Sequence, residues 1–213
     1  MEAPGALLFA TDFAPAARAA RAHVQLLATS LDLPVHLAHV LPAHGHDADR
    51  GKAERGLDEI AAELSVPVVD RQVLFGSAAE ALMHHADAIG CGWIVVGVSG
   101  HRVGGTVDTI SRFARQAVWV SRPRADGRIT RVLASEADSE SVRDLCRRWD
   151  ADLELMTVTS GELLLRRAVE IGADLLVLER AELRGLRRAY MGGVGERILH
   201  RSTCSVLMLP PRR

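Results

Sequence analysis

Short apolar runs alternate with longer stretches in which apolar residues recur at helical spacing. Residues 6–10, Ala-Leu-Leu-Phe-Ala, are continuously apolar, as expected of a strand buried on both faces of a parallel sheet. Residues 11–15 end that strand and start a helix, with Pro15 suited to the first turn, where an N–H is not needed. Ala20, Val24, Leu27 and Leu31 mark one face of it. Residues 34–41 predict a second strand and residues 42–51 a polar loop. Leu57, Ile60, Ala61 and Leu64 give the second helix its apolar face, and residues 66–74 carry a third strand. Ser77 and Glu80 have the spacing of a capping box, and Leu82, Ala86 and Ile89 form the buried side of the helix it would open. The run Trp93-Ile94-Val95-Val96 is a fourth buried strand that stops at glycines. A helix-like interval, residues 107–115, separates it from a fifth run, Ala117-Val118-Trp119-Val120.

This β-α alternation predicts a parallel, doubly wound α/β sheet. Residues 121–128, polar with Pro and Gly, read as a linker. The pattern then restarts. Residues 131–136 parallel 7–12, residues 171–179 parallel 89–97, and residues 205–210 parallel the strand through Val120, so the chain holds an internal repeat. The interval from Glu136 to Glu179 is about half that from Asp12 to Gly97, so the second copy lacks about one βα unit. The expected division is one domain over residues 1–123 and an abridged second over 128–213. Their last strands, 118–120 and 206–209, should pair, because as free edges they would invite non-specific association.

The glycine-rich loop after the fourth strand, Gly97-Val98-Ser99-Gly100-His101-Arg102-Val103-Gly104-Gly105-Thr106, carries the candidate chemistry. It lies where such sheets bind ligands, beyond the carboxyl end of a strand. Glycines allow close backbone approach to an anion, and a following helix N-terminus favours negative charge. Composition narrows what that anion site can do. Lys52 is the single lysine and no GxxxxGK[ST] motif is present, which argues against a Walker-type NTPase and against Schiff-base chemistry. With a formal net charge of -1 in 213 residues, bulk electrostatics give no case for nucleic acid or acidic membranes. No apolar stretch has the length of a membrane span. Cys91, Cys146 and Cys204 are scattered and odd in number, which fits reduced thiols of a cytoplasmic protein.

Four stretches together resemble the universal stress protein family in its tandem two-domain form: LLFATDFAPAARAA, HLAHV, FGSAAEALMHHADAIGCGWIVVG and MGGVGERILHRSTCSVLMLP. The resemblance implies two doubly wound domains packed as a pseudo-dimer, and a binding site for ATP or AMP, with Mg accompanying ATP. It also implies a role in stress response, by binding and sensing a nucleotide rather than turning it over. The family's motif, G-x2-G-x9-G-[ST], is altered in both halves. Gly97 and Gly100 match, but Gly105-Thr106 follows after only four residues, while strict counting reaches Ile110-Ser111. In the second half the spacing holds and Gly192-Gly193 stands at its end, but Glu179 and Glu182 replace the early glycines. Asp12 matches the family's acid that contacts the adenosine part, and Val40 the residue whose backbone meets adenine. The nucleotide-binding set implied is therefore Asp12, Val40, Gly97, Gly100, Gly105 and Thr106. Glu136 stands where Asp12 does in the other half, and the second-strand equivalent there is not identifiable.

Each of these residues also has a plainer reading. Asp12 could serve a helix start, Thr106 could cap the helix after the loop, and the glycines could be an inherited turn. His101 could touch phosphate or solvent. His44, His46 and Asp47 offer three metal ligands without a fourth, which favours a solvated loop. His84-His85 on a helix would have one ring outward and one partly packed, with no ligand partner in view. Arg184, Arg187 and Arg188 could pair with Glu179 and Glu182 or meet an anion. No nucleophile-base pattern is legible, so hydrolysis should be slow. Two alternatives remain open: a nucleotide-free interaction module with decayed sites, and a weak ATP hydrolase. A homodimer beyond the internal pseudo-dimer is also open.

Overall fold

The computed structural model describes residues 5–98, 103–122, 127–135, 139–157, 160–180 and 194–210. The first half runs β1 (Leu7–Ala10), α1 (Pro15–Leu31), β2 (Val35–Leu41), α2 (Asp47–Glu63), β3 (Val68–Phe75), α3 (Ala78–Ala88), β4 (Trp93–Gly97), α4 (Gly105–Phe113) and β5 (Ala117–Ser121). The second runs β6 (Arg131–Ser135), α5 (Ser139–Trp149), β7 (Asp152–Met156), α6 (Gly161–Glu170), β8 (Leu175–Glu179), α7 (Val194–Arg201) and β9 (Ser205–Leu209).

All nine strands form one sheet in the order β3-β2-β1-β4-β5-β9-β8-β6-β7. Within each half the strands are parallel. The halves meet where β5 and β9 pair antiparallel, Val118 with Met208, Trp119 with Leu207 and Val120 with Val206. The two runs that would have been free edges thus cover each other. Reading outward from this seam, the described residues of the second half hold no counterpart of β3, and β7 is the second-strand equivalent that the sequence did not reveal.

Each sheet face has its own core, and both cores cross the seam. One joins Leu8, Ile94 and Val118 to Leu133, Leu176 and Val206 beneath α3, α4, α6 and α7. The other joins Phe9, Val95 and Trp119 to Val177 and Leu207 beneath α1, α2 and α5. Trp119 is fully buried and meets Trp149 edge-on at 5.6 Å. Trp149 Nε1 in turn donates to Ser30 Oγ of α1, 2.8 Å, tying α5 to the first half.

Three local expectations change. Helix α2 begins inside the expected polar loop, because Asp47 and Asp49 favour a first helical turn through the helix dipole. Ser77 is the N-cap of α3, but its side chain makes no capping bond. Ser121, expected in the linker, is the buried last residue of β5, where its Oγ lies 2.8 Å from His23 Nδ1. The three cysteines are buried and unpaired. Burial pushes the thiols of Cys91 and Cys146 up to about 11, which leaves them protonated and unreactive at neutral pH.

Candidate functional site

A cleft of about 320 Å³ opens at the carboxyl ends of β1, β2 and β4, at the small end of the range for ligand pockets. Its floor is small and apolar: Ala10, Ala17, Ala38 and Val96. Asp12, Val40, Gly97 and Thr106, all implied by the resemblance, line it together with Thr11, His39 and Gly104. Gly105 is the first residue of α4 and is not among the residues lining the cleft, whereas its neighbour Gly104 is. Gly100 and His101 lie outside the described residues, as do Glu136, Glu182, Gly192, Gly193 and the three arginines 184, 187 and 188.

The turn after β1 is tightly held. Thr11 Oγ1 accepts from Phe13 N–H and Asp12 Oδ1 from Ala14 N–H, both at 3.0 Å. These bonds support a left-handed Phe13, at φ 63°. The N-cap of α1 is Ala14, so Asp12 closes the turn ahead of the helix rather than capping it. Its carboxylate is exposed at the cleft and adds negative charge there.

His39 was not singled out in the sequence. Its Nδ1 donates to Thr11 O at 2.8 Å, which leaves Nε2 as the acceptor nitrogen, and its ring stacks on Phe13 at 4.4 Å. Only the pairing of β1 with β2, which brings Thr11 beside the end of β2, could have exposed it. Val40 follows, and its role depends on register. Ala38 O accepts from Thr11 N on the β1 side of β2. Backbone groups two residues apart point the same way along a strand. The N–H and C=O of Val40 therefore face beyond the end of β1, into the cleft.

The glycines divide into two kinds. A Cβ at Gly97 would lie 2.4 Å from Ala16 O and 2.6 Å from Ala17 Cα, so close packing of α1 on β4 itself requires glycine. A Cβ at Gly104 or Gly105 would meet nothing within 4 Å. Gly104 has an ordinary extended backbone, φ -68° and ψ 157°, so neither conformation nor packing calls for glycine there. It is the N-cap of α4, with no side-chain cap. This removes Thr106 as the cap, and among the described residues no side chain bonds the first-turn N–H groups of α4.

The equivalent end of β8 is built differently. Glu179 stands in the place of Gly97 and is buried, as is Arg180 after it. Arg180 reaches across the seam. Its Nη1 and Nη2 donate to Ala114 O and Gln116 O of the first half, and its Nε to Leu209 O at 3.3 Å. Arg122, just after β5, makes the reciprocal contact, with Nη2 on Leu199 O of α7 at 2.6 Å. A further concavity, about 380 Å³, lies between α6 and the end of α7 and is lined by Glu162, Arg166 and Arg201, not by strand ends.

Comparison with known proteins agrees with this architecture. The model of the universal stress protein family matches residues 150–210. A universal stress protein from Archaeoglobus fulgidus DSM 4304 superposes with a TM-score of 0.76 at 13% identity, covering 96% of each chain. A functionally unknown protein from Pseudomonas aeruginosa PAO1 superposes with a TM-score of 0.72 at 17% identity, covering 98% of this chain and 93% of that one. At such identities the likeness is one of fold. No curated protein matches the sequence. No described helix is long and apolar enough to cross a membrane. Residues 150–210 match the model of the universal stress protein family, and the chain as a whole has the fold of a solved universal stress protein from Archaeoglobus fulgidus.

Proposed function

We propose that this chain binds one adenine nucleotide, AMP or ATP, in the first-half cleft, and acts as a nucleotide-binding stress-response protein rather than a hydrolase. The observation that carries this reading is the pair Gly104-Gly105 at an uncapped helix start beside the cleft. No contact among the described residues requires glycine there, whereas close approach of a phosphate to backbone N–H groups favours it. The outward-facing backbone of Val40 offers a donor and an acceptor to the adenine edge. Asp12 and Thr106 line the same cleft, and in this reading Asp12 meets a ribose hydroxyl and Thr106 a phosphate oxygen.

Binding is favoured over turnover by the lining itself. No lysine or arginine is among the described lining residues, so none of those residues supplies the cationic stabilisation that phosphoryl transfer depends on. Mass spectrometry of small molecules released from the purified protein tests the reading, paired with a turnover assay with and without Mg²⁺. AMP or ATP released, with negligible turnover, is the expected result. A chain that releases none and binds none when offered either is an interaction module, and rapid Mg²⁺-dependent hydrolysis would make it an enzyme.

A further inference from the structure

His36 on β2, Asp70 on β3 and His85 on α3 meet beneath the sheet's outer edge, and one ligand atom from each lies within 4.8 Å of the others. We propose that these three side chains bind one divalent transition-metal ion of the Zn²⁺ class. His36 and Val40 are four residues apart on β2, about 13 Å, so this site lies toward the opposite end of the strand from the nucleotide cleft and is independent of it.

Three features build the site. The first is a bulge. Val35 pairs with Val68, but His36 pairs with Asp70, so Val69 is skipped and stands 55% exposed. Without that extra residue, Asp70 would point to the α1–α2 face. The bulge turns its carboxylate to the α3 face, beside His36, and bulges commonly re-aim side chains at sites. The second is unsatisfied nitrogen. His36 Nδ1 and His85 Nε2 are both buried without a hydrogen-bond partner, which is costly unless something else occupies them. The third is an oriented carboxylate. Asp70 Oδ1 accepts from Arg71 N–H at 2.8 Å, and Gln72 Nε2 donates to both its oxygens at 3.2 and 3.0 Å. Outer contacts of this kind hold metal-ligating carboxylates in place.

The donor set selects the ion. Two imidazoles and one carboxylate suit Zn²⁺ and its late first-row neighbours rather than Mg²⁺ or Ca²⁺, which prefer all-oxygen shells. Bonds near 2.0 Å in a tetrahedron place ligand atoms about 3.3 Å apart, and His36 Nδ1 lies 4.0 Å from Asp70 Oδ2. A shift of under about 1 Å closes that gap, within ordinary side-chain adjustment. All three residues are partly exposed, so water can fill the fourth position.

Calorimetric titration of the chelator-stripped full chain with Zn²⁺ tests the site, with Co²⁺ absorption reporting its coordination. One equivalent per chain is expected, weakened at least about tenfold by each of His36→Ala, Asp70→Asn and His85→Ala. His84→Ala and the double change His44→Ala/His46→Ala, at exposed histidines, should leave it unchanged. Asp70→Asn keeps the shape and an acceptor for Gln72, so it carries the test if an imidazole variant does not fold. Binding weaker than about 1 mM in the parent would overturn the proposal. So would Zn²⁺ binding that survives Asp70→Asn and His85→Ala but disappears with His44 and His46.

Discussion

The ends of β4 and β8 are equivalent places on opposite sides of one seam, yet they are built differently. After β4 the chain is glycine-rich, the cleft is open, and a helix start is left uncapped. After β8 a buried Glu179 fills the glycine position and Arg180 leaves its own half to hold carbonyls of the other. A repeat needs its seam once, and it does not need its ligand site twice. The second half can lose a βα unit and its early glycines provided that β9 still pairs with β5 and the arginine still locks the turn before β5. The difference teaches that degeneration of the glycine motif in the second half is not mere loss, because Arg180 has gained a structural task there.

The strongest way to break this comparison is to remove that task. Arg180→Ala deletes donors to three carbonyls at a buried site, each charged hydrogen bond contributing about 1.5–3 kcal/mol. A loss of about 3 kcal/mol in urea denaturation is expected, and a loss below about 1 kcal/mol would show that the clamp is incidental. Gly97→Val should cost about as much, near 3 kcal/mol by overpacking, because its Cβ would collide with the α1 backbone. Gly104→Val should cost about 1 kcal/mol or less, the scale of an N-cap change, since its Cβ enters open space. Equal destabilisation by the two valines would erase the distinction between a packing glycine and a ligand glycine.

Stability near the seam should depend on pH through His23. Its ring packs against Trp119 at 5.1 Å, with Nδ1 beside Ser121. Burial lowers its pKa to about 4, against the opposing charge of Asp174. The unfolded state, with an ordinary value of 6.5, binds the proton first as pH falls. Stability is therefore full above about pH 6.5 and declines toward pH 4, by about 2 kcal/mol between pH 7 and pH 5. Urea midpoints at the two pH values check this, and His23→Gln should flatten the difference. A slope unchanged by that substitution would place the titrating group elsewhere.

Much of this was legible in the sequence. Continuous apolar runs located β1, β4 and β5, and the expected pairing of the runs 118–120 and 206–209 is the seam. Asp12, Val40, Gly97 and Thr106, far apart in sequence, line one cleft. What stayed hidden depends on three-dimensional register. His39 acquires its place from where β1 ends beside β2. His36 and Asp70 meet because of one skipped residue, and an alternating pattern read straight through would put them on opposite faces. Arg180 was not singled out, because two of its partners are backbone carbonyls some sixty residues away, which no side-chain pattern reports.

A smaller effect sharpens the picture of the cleft. Five residues are missing from the loop relative to the family's spacing, and no described lining residue is a lysine or arginine, so the outer phosphates gain little. AMP and ATP should bind within about tenfold of each other, or 1.4 kcal/mol, and a larger preference for ATP in calorimetry would reveal donors this account does not include.

The central claim is that the two strand ends differ, one binding nucleotide and the other not. A calorimetric titration with AMP, run on the parent chain and on Gly104→Val, tests it most directly. The account predicts one equivalent per chain in the parent and at least about tenfold weaker binding in the variant. Two equivalents in the parent, or one equivalent with undiminished affinity in the variant, would contradict it.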